Sequence, residues 1–253
     1  PVSGRDLMMA VDISGSMEIK DMEIHGKAVD RLSIVKEVLN DFIDRREGDR
    51  LGLILFGSNA YLQTPLTFDR ETVRTFLNEA ALGLAGKKTA IGDAIALAAK
   101  RLESNPAESR VLVLLTDGAN TAGEIEPVKA AELAAQMGIR IHTIGLGADS
   151  MEVTSFFGSQ RVNPSRDLDE DSLRKIADLT GGKFFRARNT GELEEIYTII
   201  DQLEPTEKDP EIYRPQTSLY QWPLLAALIL SLIQGVFSSG VLSRFNSTKG
   251  GAL

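Results

Sequence analysis

The sequence predicts an α/β domain in which a central, mostly parallel sheet carries helices on both faces. Two observations predict it. Short runs such as Asp6 to Asp12 (DLMMAVD) and Arg50 to Phe56 (RLGLILF) have the length and unbroken hydrophobicity of strands buried on both sides. Between such runs lie segments whose apolar residues recur at helical spacing, and this alternation belongs to a parallel sheet joined by crossover helices. A chain of 253 residues holds one such domain of roughly 200 residues with something appended.

The elements follow in order. After the first strand comes Asp12-x-Ser14-x-Ser16, and Glu18 to Asp30 reads as polar and irregular. Arg31 to Arg46 places Leu32, Val35, Val38, Leu39, Phe42 and Ile43 on one face of a helix that Gly48 ends. Arg50 to Phe56 is the second strand, and Tyr61 to Thr64 a short antiparallel edge strand bounded by Asn59 and Pro65. Asp69 caps a helix through Leu77. After the Gly-rich loop Gly83 to Lys88, Thr89 opens a further helix (TAIGDAIALAAKRL), ended by Asn105 and Pro106. Gly92 in its first turn is expected to let the helix approach the first loop closely. Arg110 to Thr116 is a strand, Pro127 to Met137 a helix with proline near its first position, and Ile139 to Leu146 a strand. Gly145 and Gly147 lack the third glycine and the helix of a dinucleotide loop, so they read as a strand-end turn. Asp149 to Arg166 is a surface excursion with no assigned role. Asp169 to Leu179 is a helix closed by Gly181 and Gly182, Lys183 to Ala187 a last strand and Thr190 to Leu203 a last helix.

From Glu204 to Pro215 the composition shifts to charge and proline, and beyond it no charged residue occurs until Arg244. Trp222 to Leu242 has about the length that crosses a bilayer; Tyr220 and Trp222 suit its interface, and Pro223 suits a helix start. Gln234, Gly235, Ser238, Ser239 and Gly240 weigh against it. The expected division is residues 1–203 as the folded domain, 204–217 as a linker, 218–243 as a transmembrane helix and 244–253 as a short polar tail. Lys208 and Arg214 before the span balance Arg244 and Lys249 after it, so charge does not decide its orientation. With proline at residue 1 and no signal sequence, the chain reads as a fragment or processed form.

Five oxygen side chains carry the chemistry. Asp12, Ser14 and Ser16 alternate by two at the end of a buried strand, and a tight loop at Gly15 lets their oxygens converge. Thr89 at a helix start and Asp117 at the end of VLVLLTD fit the same picture. Such hard donors suit Mg²⁺ or Mn²⁺ in octahedral geometry with water completing the shell. Taken alone, the first three residues also fit a turn bonded to its own backbone, and Thr89 an ordinary helix cap. Lys87 and Lys88 beside Thr89 either favour an anionic partner or form a solvated charge run. His25 and His142 have no companions at ligand spacing. A net charge of −8 without a basic face argues against nucleic acid, and the absence of cysteine excludes disulfides and thiolate metal sites. An aspartate ending the first strand, together with Thr116-Asp117, also fits a Mg²⁺-dependent phosphotransferase of the haloacid dehalogenase type. Those enzymes need a second acid where Ser14 stands, and the expectation is a protein that is not an enzyme.

The set DxSxS, loop threonine and TDG resembles the metal-ion-dependent adhesion site of von Willebrand factor A-type (VWA) domains, over Asp6 to Asp201. NDFIDRREGDRLGLILFG, YLQTPLT, KKTAIGDAIALA, LLTDGANTAGEIEP and HTIGLGAD resemble the membrane-anchored Bat-type proteins of aerotolerance operons, found beside MoxR-type AAA+ ATPases in bacteria. The resemblance implies a doubly wound, Rossmann-like fold. It implies that Ser14 and Ser16 bind metal directly, Asp12 and Asp117 directly or through water, and Thr89 directly only when a ligand is engaged. An Asp or Glu of a partner protein would take the free position. It further implies an anchor preceding the domain, a periplasmic domain on the bacterial inner membrane, a cytoplasmic tail, and other Bat-type envelope proteins with a MoxR-type ATPase as partners. The expected function is a metal-dependent protein-interaction module; the alternative is a scaffold with an unused metal site.

Overall fold

The computed structural model describes residues 4–24, 26–105, 109–155, 158–205 and 221–238. The strands are β1 (Asp6–Asp12), β2 (Met22–Ile24), β3 (Lys27–Val29), β4 (Arg50–Phe56), β5 (Ala60–Thr67), β6 (Arg110–Thr116), β7 (Arg140–Leu146), β8 (Met151–Ser155), β9 (Gly158–Val162) and β10 (Phe184–Ala187). The helices are α1 (Arg31–Arg45), α2 (Arg70–Glu79), α3 (Ile91–Leu102), α4 (Pro127–Gln136), α5 (Glu170–Thr180), α6 (Thr190–Leu203) and α7 (Gln221–Ser238).

Six strands form one sheet in the order β10-β7-β6-β1-β4-β5, and within it only β5 runs antiparallel to its neighbour. All seven residues of β1 are buried, because β1 lies between β4 and β6 and is covered on both faces. Its side chains alternate between two cores. Leu7, Met9 and Val11 pack with Val38, Leu39 and Phe42 of α1, Val73 and Leu77 of α2, and Leu193, Ile196 and Tyr197 of α6. Met8 and Ala10 pack with Ala94, Ile95 and Ala98 of α3, Ala130 and Ala134 of α4, and Leu173 and Ile176 of α5. The chain leaves β1 toward β4 on one side and returns to β6 on the other, so the strand order reverses at β1. In such sheets the crevice beyond the carboxyl ends of the strands is the place for a ligand.

Local chemistry starts the helices, at Asp69 as the sequence predicts and at three further caps that it does not single out. The carboxylates of Asp30, Asp69 and Asp169 and the amide oxygen of Asn189 accept from the backbone N–H three residues on, and Gly181 closes α5 in the left-handed conformation at φ 72°.

Several expectations are corrected. The edge strand β5 spans eight residues and runs through Pro65, where an edge position needs no donor on the open side. The segment after the first loop holds the hairpin β2–β3, and the 149–166 excursion holds the hairpin β8–β9. Helix α3 begins at Ile91, so Thr89 lies before it and is not its cap. Gly92 makes its close approach elsewhere than expected: a Cβ there would stand 1.8 Å from the carbonyl oxygen of Ile125, so the glycine serves packing against the segment after β6. The Gly145/Gly147 turn also has a packing reason, since a Cβ on Gly147 would stand 2.5 Å from Arg31 Nη2.

At the amino ends of the strands His142 is a buried structural residue. Its Nδ1 accepts from the Lys183 N–H at 3.1 Å, which leaves Nε2 to donate to Glu204 Oε1 at 3.0 Å. Arg140 reaches the same oxygen at 2.5 Å, and Arg46 donates to the Glu204 carbonyl.

The chain divides into two units, Pro1–Asp209 and Pro210–Leu253. In the second, α7 has 18 residues, about 27 Å of helix against a hydrocarbon core of about 30 Å. Among the described residues no helix is long and apolar enough to cross a membrane. The rest of the predicted 218–243 span, most of the 204–217 linker, the 244–253 tail, Pro106 and His25 lie outside the described residues.

Candidate metal site

Asp12 ends β1 with its side chain buried, and its two oxygens are fixed from different directions. Oδ1 accepts from the Ser14 N–H at 2.8 Å, and Oδ2 accepts from the Thr116 hydroxyl at 2.6 Å across the β1–β6 pair. A 3₁₀ turn, Gly15–Glu18, then carries Ser16 back over the strand ends. Ser14 Oγ and Ser16 Oγ stand 3.1 Å apart, and Ser16 Oγ donates to Asp117 Oδ1 at 2.5 Å. Asp12, Ser14, Ser16 and Asp117 are thus brought to one place by two neighbouring strand ends.

Thr89 joins them from a third loop. A Cβ built on Gly118 would lie 3.8 Å from Thr89 Oγ1 and 3.9 Å from Ser16 Oγ, so both hydroxyls face the backbone just past Asp117. The loop is held from both sides. The Gly15 N–H donates to the Lys87 carbonyl at 3.2 Å, while the Thr89 carbonyl accepts from Thr121 and Ala122 N–H at 2.8 and 3.1 Å. The Thr89 N–H donates to Thr121 Oγ1, and Asn120 Oδ1 accepts from the Ile91 N–H at 2.8 Å. Asn120, from the loop after β6, is therefore the cap of α3. Asp93 reciprocates by accepting from the N–H groups of Glu124 and Ile125 at 3.0 Å each. Lys87 and Lys88 contribute backbone contacts here, and both are exposed.

A residue that sequence reasoning missed completes the arrangement. Arg31, the first residue of α1, has a fully buried side chain; Nη1 donates to Asp117 Oδ2 at 2.7 Å, while Nε and Nη2 bracket Asp21 at 2.9 and 2.5 Å. Ser165 Oγ, after the β8–β9 hairpin, lies 3.3 Å from Nη2, which ties the excursion to the site. The polarity of Asp21 inside a segment otherwise read as irregular was the available signal; its pairing with Arg31 was not legible.

The electrostatics is unbalanced. Among the described residues the buried Arg31 pairs with the carboxylates of Asp21 and Asp117, and the third buried carboxylate, Asp12, is held by the Ser14 N–H and the Thr116 hydroxyl rather than by a cation. Burial, then the nearby Asp117 charge, pushes the Asp12 carboxyl up to about 7. Burial raises Asp117 as well, against the opposing pull of Arg31 and the Ser16 hydroxyl. Two carboxylates and three hydroxyls with a formal shortage of positive charge fit a hard divalent cation. The described residues hold no cluster of three or more His, Cys, Asp or Glu side chains suited to a metal; hydroxyls make up the majority of this donor set.

Known proteins share this fold and more. A conserved hypothetical protein BatB from Bacteroides thetaiotaomicron is 27% identical, with a TM-score of 0.64 over 79% of this chain and 98% of that one. An aerotolerance-related membrane protein from Bacteroides fragilis is 29% identical, with a TM-score of 0.63 over 79% of this chain and 98% of that one. An uncharacterized protein of Borreliella burgdorferi is 29% identical over 240 residues, 93% of this chain and 69% of its own length. Residues 6–199 match the von Willebrand factor type A domain, and the chain belongs to that family.

Proposed function

We propose that the chain is a metal-dependent protein-interaction module of a membrane-anchored cell-envelope complex, in which Asp12, Ser14, Ser16, Thr89 and Asp117 hold Mg²⁺ or Mn²⁺ and a partner supplies an Asp or Glu. VWA domains are typically protein-interaction modules, and the similarity to BatB and to an aerotolerance-related membrane protein supports a membrane-associated role. The observation that carries the metal reading is the shortage of positive charge: the guanidinium of Arg31 pairs with Asp21 and Asp117, while the buried Asp12 beside Asp117 accepts from the Ser14 N–H and the Thr116 hydroxyl and has no cation of its own among the described contacts. A bound divalent cation would supply that charge and an open coordination position for a hard anionic oxygen.

The residues of the chain prepare the place. Thr116 and the Ser14 N–H orient Asp12. Arg31 holds Asp117 Oδ2, which leaves Oδ1 on the Ser16 side. Thr89 is tied through Thr121 to the loop that follows Asp117, which fixes its position relative to that carboxylate. Exposed Lys87 and Lys88 attract an acidic segment of the partner. Anchoring falls to residues 218–243, within which Leu224, Leu225, Leu228, Ile229 and Leu230 of α7 are exposed, an apolar surface suited to lipid. The domain lies in the periplasm, the 244–253 tail in the cytoplasm, and the complex works with a MoxR-type ATPase.

A pull-down from bacterial membranes with the chain as bait tests this. The partner is retained in Mg²⁺ and lost with EDTA or in Asp12→Ala. Retention in all three conditions would leave a scaffold with an unused metal site.

A further inference from the structure

Beside the candidate metal site, the carboxyl end of β4 and the start of β5 leave a pocket of about 170 Å³ lined by Ile13, Leu55, Tyr61, Gln63, Leu84 and Ala85. Its floor is apolar and buried, formed by Ile13, Leu55 and Ala85, whereas its rim is exposed: Tyr61 at 48% and Leu84 at 66%. The pocket and the site share a loop. Ile13 stands between Asp12 and Ser14, its carbonyl accepts from the Gly83 N–H at 2.9 Å, and Leu84 precedes Lys87, whose carbonyl accepts from Gly15. The loop is firmly held, since Asn59 N–H donates to the Ala85 carbonyl at 3.3 Å and Lys88 N–H to Ser58 Oγ at 3.1 Å. β5 is the sheet edge, so the pocket is open to one side.

We infer that this pocket receives one large aliphatic or aromatic side chain from the same acidic partner segment whose carboxylate reaches Asp12, Ser14 and Ser16; the inference rests on the reading proposed above. Size agrees, because an apolar cavity of about 150 Å³ accepts a benzene ring. Charge selects the occupant. Exposed Lys87 and Lys88 lie three and four residues past Leu84 and favour a segment carrying negative charge.

The test is fluorescence anisotropy with the full chain and short labelled peptides of Ala and Gly around one central Asp, with a single Leu scanned along both sides. At one or two offsets Leu tightens Mg²⁺-dependent binding about tenfold, the order expected for burying part of such a side chain. Leu84→Ser and Tyr61→Ser remove that gain and leave binding of the Asp-only peptide intact; both residues are exposed, and circular dichroism checks the fold. If no offset gives a gain while the Asp-only peptide still binds with Mg²⁺, the pocket assignment is overturned and the metal reading stands. If no peptide shows Mg²⁺-dependent binding, the metal reading fails and takes the pocket with it. Self-association of the full chain that Leu84→Ser abolishes would give the pocket to a second copy and likewise overturn the proposal.

Discussion

Arg31 holds Asp117 from the far side of the site, Nη1 to Oδ2 at 2.7 Å, while its Nε and Nη2 bracket Asp21 and Nη2 also reaches Ser165 and the Pro164 carbonyl. Removing one partner from a buried ion pair leaves the others uncompensated, at a cost of about 3–5 kcal/mol. Arg31→Ala therefore lowers stability by that order in a urea melt of the metal-free protein. Arg31→Lys also falls well below wild type, since an ammonium cannot bracket Asp21 and reach Asp117 together. A wild-type midpoint in either variant would mean the network contributes little.

Asp12→Ala abolishes Mg²⁺ binding with the fold retained, because it removes a donor and also relieves repulsion between two carboxylates in the empty site. Isothermal calorimetry reads it; an unchanged isotherm removes Asp12 from the donor set. The pH dependence follows from the same group. Its carboxyl is raised from 3.8 to about 7 by burial and by Asp117, so the folded state binds this proton more tightly than the unfolded one. The metal-free protein then loses stability from this group as pH rises from about 4 to 7. In Asp12→Asn that part of the slope disappears, which thermal melts across this range detect.

Asn120, to which the sequence assigns no role, caps α3, the part that Thr89 would take if read alone. Asn120→Ala removes the cap of α3 and lowers stability by about 1 kcal/mol. Thr89→Ala leaves that cap in place and keeps much of the Mg²⁺ affinity, but loses capture of the acidic partner. Chemical denaturation of both variants, with partner affinity measured in Mg²⁺ and in EDTA, separates them. Equal partner affinity for wild type and Thr89→Ala in both media would mean Thr89 takes no part.

Membrane orientation is tested by protease added to intact spheroplasts. The domain is expected to be cut, because the proposed placement puts it in the periplasm. Full protection until the membrane is broken would reverse the assignment.

The parallel sheet was legible because continuous apolar runs such as DLMMAVD and RLGLILF have no other comfortable home than a strand covered on both faces. That the DxSxS loop, Thr89 and Asp117 come together was readable from their places beside the carboxyl ends of strands or just ahead of a helix. What the sequence hid is long-range. Arg31 sits on the helical face pattern of α1 like any terminal charge, and nothing local says that its guanidinium crosses to Asp117, 86 residues away. Thr89 before an apolar helical run has the sequence of a cap, yet the Ile91 N–H is satisfied by Asn120 from another loop. Gly92 announced a close approach correctly, but the partner, Ile125, is set by tertiary packing. The hairpins β2–β3 and β8–β9 went unread because strands of three to five residues are too short for the alternation in Met22-Glu23-Ile24 or Met151-Glu152-Val153 to stand out from a loop.

The clasp between α3 and the loop after β6 also orders events in time. Asn120 to Ile91 and Asp93 to Glu124 and Ile125 each close over some thirty residues of chain. A nascent chain that has emerged only through Leu115 carries Asp12, Ser14, Ser16 and Thr89, but neither Asp117 nor the side chain that starts α3. Chains emerge amino end first, and loop closure must precede the contacts that reward it. Thr89 therefore gains its contacts with Thr121 and Ala122 only after Asp117 has emerged, so the proposed metal site is incomplete in a half-built domain on the ribosome.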